Sequence, residues 1–158
     1  MTLKENSSYT VTSNTTIDDV RQFVENGPFV VVAHWNNCFH CKEFLKENGV
    51  LQNLLQKTTA KFIDVEYNDI QKLKNKDIYK YLKLDGISYY PYIYALNSLN
   101  ENYRHVYKES SRDLTELTTW VNSLTQTTGG FQKKESSKKK KRNGRKKRPF
   151  SRKIHKIK

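Results

Sequence analysis

The sequence predicts an α/β domain with a mixed central sheet flanked by helices, followed by a disordered basic tail. Three observations carry this. Short runs rich in β-branched residues alternate with amphipathic helical segments between residues 15 and 128. The most apolar run, "FVVVAHW" (Phe29–Trp35), is continuous rather than alternating, as in a strand buried on both faces inside a parallel sheet. Charge is unevenly placed: residues 131–158 hold 15 of the 29 Lys+Arg and one of the 16 Asp+Glu, so residues 1–130 are close to neutral.

Each element has its own signal. Residues 1–14 are polar and flexible, with a short strand around Tyr9–Thr12. In "TTIDDVRQFVEN", Thr16 and Asp19 have capping-box spacing, and Ile17, Val20, Phe23 and Val24 recur at helical spacing until Asn26-Gly27-Pro28. Phe29–Trp35 is the central strand. Phe44, Leu45, Val50, Leu51, Leu54 and Leu55 predict a helix from Cys38 to Gln56, bent near Asn48-Gly49. "AKFIDVEY" is a strand. "LKNKDIYKYLKL" is a helix ended by Asp85-Gly86. "YPYIYAL" and "NYRHVYK" form an antiparallel hairpin around the turn "NSLNEN". "RDLTELTTWVNSL" is a last amphipathic helix, and Gly129-Gly130 closes the domain. Alternating elements followed by a hairpin imply a mixed sheet.

At 158 residues, the chain suits one domain (15–128) with a flexible N-terminus (1–14) and a tail (129–158). The tail cannot bury enough apolar surface to offset its ordering entropy. No stretch reaches the ~18 consecutive apolar residues of a transmembrane helix. The N-terminus lacks the apolar core of a secretory signal, so cytoplasm or nucleus is the expected compartment. In a reducing compartment, paired cysteines serve catalysis or metal binding more often than structural disulfides.

The only two cysteines, Cys38 and Cys41, lie in "NNCFHCKEF", directly after the central strand. A cysteine opening a helix meets unpaired N–H groups and the positive end of the helix dipole, which stabilise a thiolate. Cys41 lies one turn on, on the same face, within reach of the Cys38 sulfur. One thiol can then attack a disulfide while the other resolves the mixed disulfide. A lone C-x-x-C also fits half a metal site or a fortuitous pair. A closed zinc site needs four ligands, and His34, His40, His105 and His155 lack finger-like spacing. No metal and no cofactor is expected.

From about residue 15 to 125 the sequence resembles the thioredoxin family, especially its protein-disulfide-isomerase branch. The matching pieces are "FVVVAHWNNCFHCK" with Lys42 after the second cysteine, "AKFIDV", "GISYYPYIY", and "YKESSRDLTELTTWV", whose tyrosine and arginine precede the final helix. The resemblance implies a thioredoxin-like fold and thiol–disulfide oxidoreductase activity on protein disulfides or thiols. Cys38 would attack and Cys41 resolve. Tyr90-Pro91 matches the family's cis-proline opposite the dithiol, where the Tyr90 backbone pairs with an extended substrate. Only about 5–6% of X-Pro bonds are cis, so this expectation rests on the resemblance. His40 fills a slot that isomerase-type and bacterial oxidase-type sites also give to histidine. A partly positive imidazole there favours the reduced form, implying a potential above about −240 mV. Trp35 is a candidate for substrate contact or for core packing. Of the tyrosines at 89, 90, 92 and 94, strand alternation sends about half inward.

Four departures stand beside this resemblance. Asn37 precedes the first cysteine where relatives have tryptophan. Val32 replaces a buried acid that, in relatives, helps deprotonate the resolving thiol. Lys61 matches the family's buried lysine, unless the register slips by one. The helix proline after the second cysteine is missing, with Lys46 near its place. They suit a second reading: a non-catalytic or weakly active thioredoxin-like binding module attached to nucleic acid or an assembly by its tail.

The tail, "KKESSKKKKRNGRKKRPFSRKIHKIK", has the composition of a nuclear import signal, a nucleic-acid tether or a ligand for an anionic membrane, beside the plainer reading of a solubilising polycation. It lacks interleaved aromatics for base stacking, so its expected partner is a polyanion backbone held through residues 131–158. Ser136, Ser137 and Ser151 would lower its charge if phosphorylated. The Asn/Lys/Tyr/Ile-rich composition, with a compact domain and basic tail, resembles proteins of large DNA viruses, which would add the virion to the expected locations.

Overall fold

The computed structural model describes residues 7–108 and 111–126. The expected close at Gly129-Gly130, the tail and its three serines lie outside the described residues.

The elements are β1 (Ser8–Val11), α1 (Ile17–Val24), β2 (Pro28–His34), α2 (Phe39–Leu45), α3 (Val50–Lys57), β3 (Lys61–Glu66), α4 (Tyr67–Leu73), α5 (Asp77–Tyr81), β4 (Tyr92–Asn97), β5 (Asn100–Val106) and α6 (Leu114–Gln126). The five strands form one sheet in the order β1-β3-β2-β4-β5. β1 and β2 both run parallel to β3, whereas β4 is antiparallel to β2 and to β5. The sheet is therefore mixed, as the alternating elements and terminal hairpin predict.

β2 occupies the centre, which explains its unbroken apolar sequence. Phe29, Val31 and Ala33 face one core, with Val20 and Val24 of α1, Ile70 and Leu73 of α4, and Ile78 of α5. Val30 and Val32 face the other, with Phe44 of α2, Leu54 of α3, and Leu117, Val121 and Leu124 of α6. Helices thus cover both faces. Each of these leucines, valines and isoleucines contributes roughly 1.5–3 kcal/mol through burial.

The capping box of α1 forms as expected: Asp19 N–H donates to Thr16 Oγ1 at 3.2 Å, and Thr16 N–H to Asp19 Oδ2 at 2.9 Å. Several boundaries differ from expectation. The central strand stops at His34, so Trp35 belongs to the turn. The helix expected over 38–56 is two helices. A Cβ on Gly49 would lie 2.7 Å from the Lys46 carbonyl oxygen and 2.9 Å from that of Phe44, so only glycine fits where the chain turns from α2 into α3. The third strand ends at Glu66, and Tyr67 opens α4, a helix the sequence reading missed. Glu66 caps it by accepting from Asn68 N–H at 2.6 Å. With two buried residues, Ile70 and Leu73, α4 is too short to show a helical period. The helix expected over 73–84 shrinks to Asp77–Tyr81, because Leu73 ends α4 and Lys83 turns to φ 49°.

The hairpin turn is tighter than expected. Ser98 and Leu99 alone join β4 to β5, with a register irregularity at Leu96/Asn97. Tyr90-Pro91 precedes β4 rather than opening it. The structure also decides the register at Lys61. Its Nζ lies 5.1 Å over the Phe23 ring, which packs against the first core, while Phe62 shares the second core with Val32. Lys61 is therefore not the buried lysine of the resemblance.

Candidate active site

β2 ends at His34, and a tight turn follows, closed by Cys38 N–H donating to the Trp35 carbonyl at 2.9 Å. Cys38 is the N-cap of α2, with extended backbone (φ −88°, ψ 122°). Its sulfur takes the place of a capping oxygen and accepts from Cys41 N–H at 3.3 Å. The Cys38 thiol in turn lies 3.5 Å from the Tyr90 carbonyl oxygen, to which it donates. Both cysteines are free thiols.

The two sulfurs have different surroundings. Cys38 is half-buried, whereas Cys41 is fully buried. Burial pushes the Cys41 thiol up to about 12, and its contact with the Cys38 thiol adds to this. The Trp35 backbone and the charge of Arg112 act in the opposite direction. Cys38 is thus the thiol that an incoming sulfur can reach. Cys41 is held protonated beneath it.

The opposite wall is the Tyr90-Pro91 bond, which is cis as the resemblance implies. Pro91 is buried, and its carbonyl accepts from Arg112 Nη2 at 3.2 Å. Pairing of β2 with β4, with Ala33 opposite Tyr92, brings the ends of these strands together. The dithiol loop and the proline loop therefore meet at one end of the sheet, beside Cys38.

Aromatic rings flank the meeting point. Trp35 lies 5.9 Å from Tyr67, and Tyr67 lies 5.9 Å edge-on to Tyr90. Trp35 is 38% exposed, so it lies beside the dithiol rather than in the core. Phe39, exposed at 69%, packs edge-on against the exposed His40 in the first turn of α2. Tyr89 is exposed and contacts Tyr92 edge-on, while Tyr94 is fully buried and donates to the Leu82 carbonyl at 2.6 Å. Burial pushes the Tyr90 hydroxyl above its ordinary pKa.

Two open clefts border the dithiol. One, about 230 Å³, includes Trp35, Asn36, Cys41 and Lys42; the other, about 330 Å³, includes His40, Glu43, Phe44 and Arg112. A larger hollow, about 740 Å³, lies away from them between β5 and α6. A half-exposed sulfur that reacts with another protein's disulfide needs no deep pocket. Among the described residues, no three His, Cys, Asp or Glu side chains gather as a metal site, and no helix is long and apolar enough to cross a membrane.

Of the residues expected at the site, Cys38, Cys41, Tyr90 and Pro91 come together directly; His40 and Trp35 flank them. Asn37 is exposed in the turn, and Val32 is buried in the second core. The sequence reading did not select Tyr67 or Arg112. Arg112 was legible as the arginine before the final helix. Tyr67 was not, because it is brought to Tyr90 by a helix that carries no periodic signal.

No family model and no curated protein sequence matches the chain. Solved structures share its fold. The J-Trx1 fragment of ERdj5 is 12% identical with a TM-score of 0.57, covering 77% of this chain and 53% of that one. The first thioredoxin domain of mouse protein disulfide-isomerase A4 is 17% identical with a TM-score of 0.51, covering 78% of this chain and 79% of that one. Thioredoxin f from spinach chloroplast is 20% identical with a TM-score of 0.50, covering 79% of this chain and 99% of that one. The chain thus spans about half of the ERdj5 fragment. The fold is thioredoxin-like. These neighbours give no support to a viral source.

Proposed function

We propose that the chain is a thiol–disulfide oxidoreductase that acts on protein disulfides through Cys38 and Cys41. One observation carries the reading: a half-exposed Cys38 sulfur at the start of α2 lies 3.5 Å from the carbonyl before a cis-proline, with a buried second thiol one turn behind it. The Cys38 thiolate attacks a substrate disulfide, forming a Cys38–substrate S–S bond and releasing one substrate thiolate. Cys41 loses its proton and attacks the Cys38 sulfur. A Cys38–Cys41 disulfide forms and the second substrate thiol leaves, so two electrons pass from the dithiol to the substrate. The reverse sequence oxidises a substrate dithiol. An extended substrate pairs with the Tyr90 backbone as an added strand, between the rings of Trp35 and Tyr89.

Replacing Cys41 with Ser removes the resolving thiol and leaves the attacking one. This variant should accumulate disulfide-linked substrate proteins that are released by reductant. The exposed Asn37 and the apolar Val32 favour the second reading, a thioredoxin-like binding module without turnover. That reading requires an empty trap.

The basic tail is proposed to hold a polyanion such as nucleic acid, supported by the 15 Lys+Arg of residues 131–158. Removing those residues should abolish DNA or RNA binding at low salt, and unchanged binding would contradict the tether.

A further inference from the structure

A hollow of about 370 Å³ lies at the end of β2 opposite the dithiol, roughly 20 Å from it along the strand. Its apolar floor is Ile17 of α1, Phe29 near the start of β2 and Leu96 near the end of β4. Arg21 of α1, Lys80 and Tyr81 of α5, and Asn97, Asn100 and Glu101 of the β4–β5 hairpin line it as well. The hairpin is pinned in place: Gly27 N–H donates to Ser98 Oγ at 2.8 Å, and Ser98 N–H to the Gly27 carbonyl at 3.0 Å. Sites for small molecules run from about 300 to 1,000 Å³, so the hollow is large enough for one.

The polar groups around it are poorly occupied within the protein. The Tyr81 ring stacks on Phe29, with centroids 6.4 Å apart, and the Arg21 guanidinium lies 5.3 Å from the Tyr81 centroid. The Tyr81 hydroxyl is buried and has no hydrogen-bond partner, an arrangement that folding alone leaves uncompensated. Burial pushes this hydroxyl above its ordinary pKa; the charge of Arg21 lowers it and that of Glu101 raises it, so both charges act at this place. Asn97 and Asn100 each use Oδ1 to accept a backbone N–H, from Leu99 at 2.9 Å and from Asn102 at 3.1 Å. Their NH2 groups are what they offer the hollow. Arg21 has Asp18 at 3.7 Å, but both side chains are largely exposed, so the pair holds it weakly. With Lys83, just past α5, three cations and two carboxylates, Asp77 and Glu101, line the hollow.

We propose that this hollow binds a small aromatic molecule bearing an anionic group and an N–H donor, the chemistry shared by purine mononucleotides and aromatic amino acids. The ring covers the apolar floor. The anion meets Arg21 and Lys80, with the Asn97 and Asn100 amides as further donors. The N–H group of the ligand donates to Glu101 or Asp77, and the Tyr81 hydroxyl gains a partner. A purely apolar ligand would leave these polar groups unpaired, and a bare inorganic anion would leave the floor uncovered. The site is separate from the dithiol and stands whether or not the oxidoreductase reading does.

Amide chemical shifts of the full chain test this at physiological salt, with AMP, GMP and L-tryptophan as probes. At least one should move the amides of Phe29, Tyr81, Leu96 and Asn100 saturably, with a Kd of about 1 mM or tighter, and leave that of Cys38 in place. A response to AMP or GMP assigns the ligand to nucleotides, and a response to L-tryptophan assigns it to amino acids. Arg21→Leu combined with Lys80→Gln should weaken the binding by about tenfold or more. Tyr81→Phe removes a hydroxyl that has no partner in the free protein, so it should weaken binding by about threefold or more without lowering the Tm. No saturable shift at these amides would overturn the proposal, including the case in which a nucleotide moves only amides of the basic tail. Parent affinity in the double variant or in Tyr81→Phe would overturn it as well.

Discussion

The Cys38 sulfur and the Tyr90 carbonyl oxygen lie 3.5 Å apart, although 52 residues separate them in the chain. The antiparallel pairing of β2 with β4 holds their two loops together. This contact puts the reactive sulfur beside backbone that can align a substrate strand, and the following predictions start from it.

The first concerns reactivity. Cys38 is half-buried and Cys41 fully buried, with the Cys41 thiol pushed up to about 12. At pH 7.5 a small alkylating agent should modify the Cys41→Ser variant at least ~100-fold faster than the Cys38→Ser variant, since the thiolate is the nucleophile. Peptide mass spectrometry reads the rates. Equal rates would mean that the two sulfurs share one environment.

The same burial makes a statement about alkaline stability. Below about pH 9.0, the ordinary value of the thiol, Cys41 is protonated in both folded and unfolded chains. Between about 9 and about 12 the unfolded chain releases the proton and the folded chain keeps it, so the unfolded state is favoured as pH rises. Reduced wild type should therefore lose stability across this window more steeply than Cys41→Ala. Tyrosines raised by burial add a loss common to both proteins, so the difference in slope is the quantity to measure by urea denaturation. Parallel slopes would contradict the assignment.

Gly49 should not tolerate a side chain. Its Cβ would lie 2.7, 2.9 and 3.0 Å from the backbone oxygens of Lys46, Phe44 and Glu43, atoms that cannot swing aside. Gly49→Ala should cost about 1–3 kcal/mol, the usual range for overpacking, and lower the Tm. A Tm equal to wild type would show that the α2–α3 turn relaxes freely.

How much of this was legible in the sequence depends on how far each signal is local. The central strand, the capping box of α1, the amphipathic α6 and the C-x-x-C after β2 are written in contiguous residues, and each was read correctly in kind. Tyr90-Pro91 was legible only through resemblance, because sequence spacing carries nothing about isomer state. The pieces that failed are those in which tertiary packing replaces local pattern. α4 buries only Ile70 and Leu73, the break before α3 is set by carbonyls crowding Gly49, and the facing of Lys61 is fixed by strand register.

His40 offers a test of tuning. It stands exposed in the first turn of α2, two residues after Cys38, where a positive charge would favour the thiolate over the disulfide. The dithiol should equilibrate with glutathione at a potential above about −240 mV, and His40→Ala should lower it by roughly 30 mV or more. A wild-type value near that of thioredoxin, about −270 mV, or one unmoved by the substitution, would remove His40 from the site.

The central claim is that Cys38 attacks protein disulfides, and reduction of insulin by dithiothreitol, followed by turbidity, tests it most directly. Wild type should accelerate the reaction well above the uncatalysed rate, and Cys38→Ser, with the fold intact by circular dichroism, should return it to that baseline. Equal rates for wild type and Cys38→Ser would contradict the account.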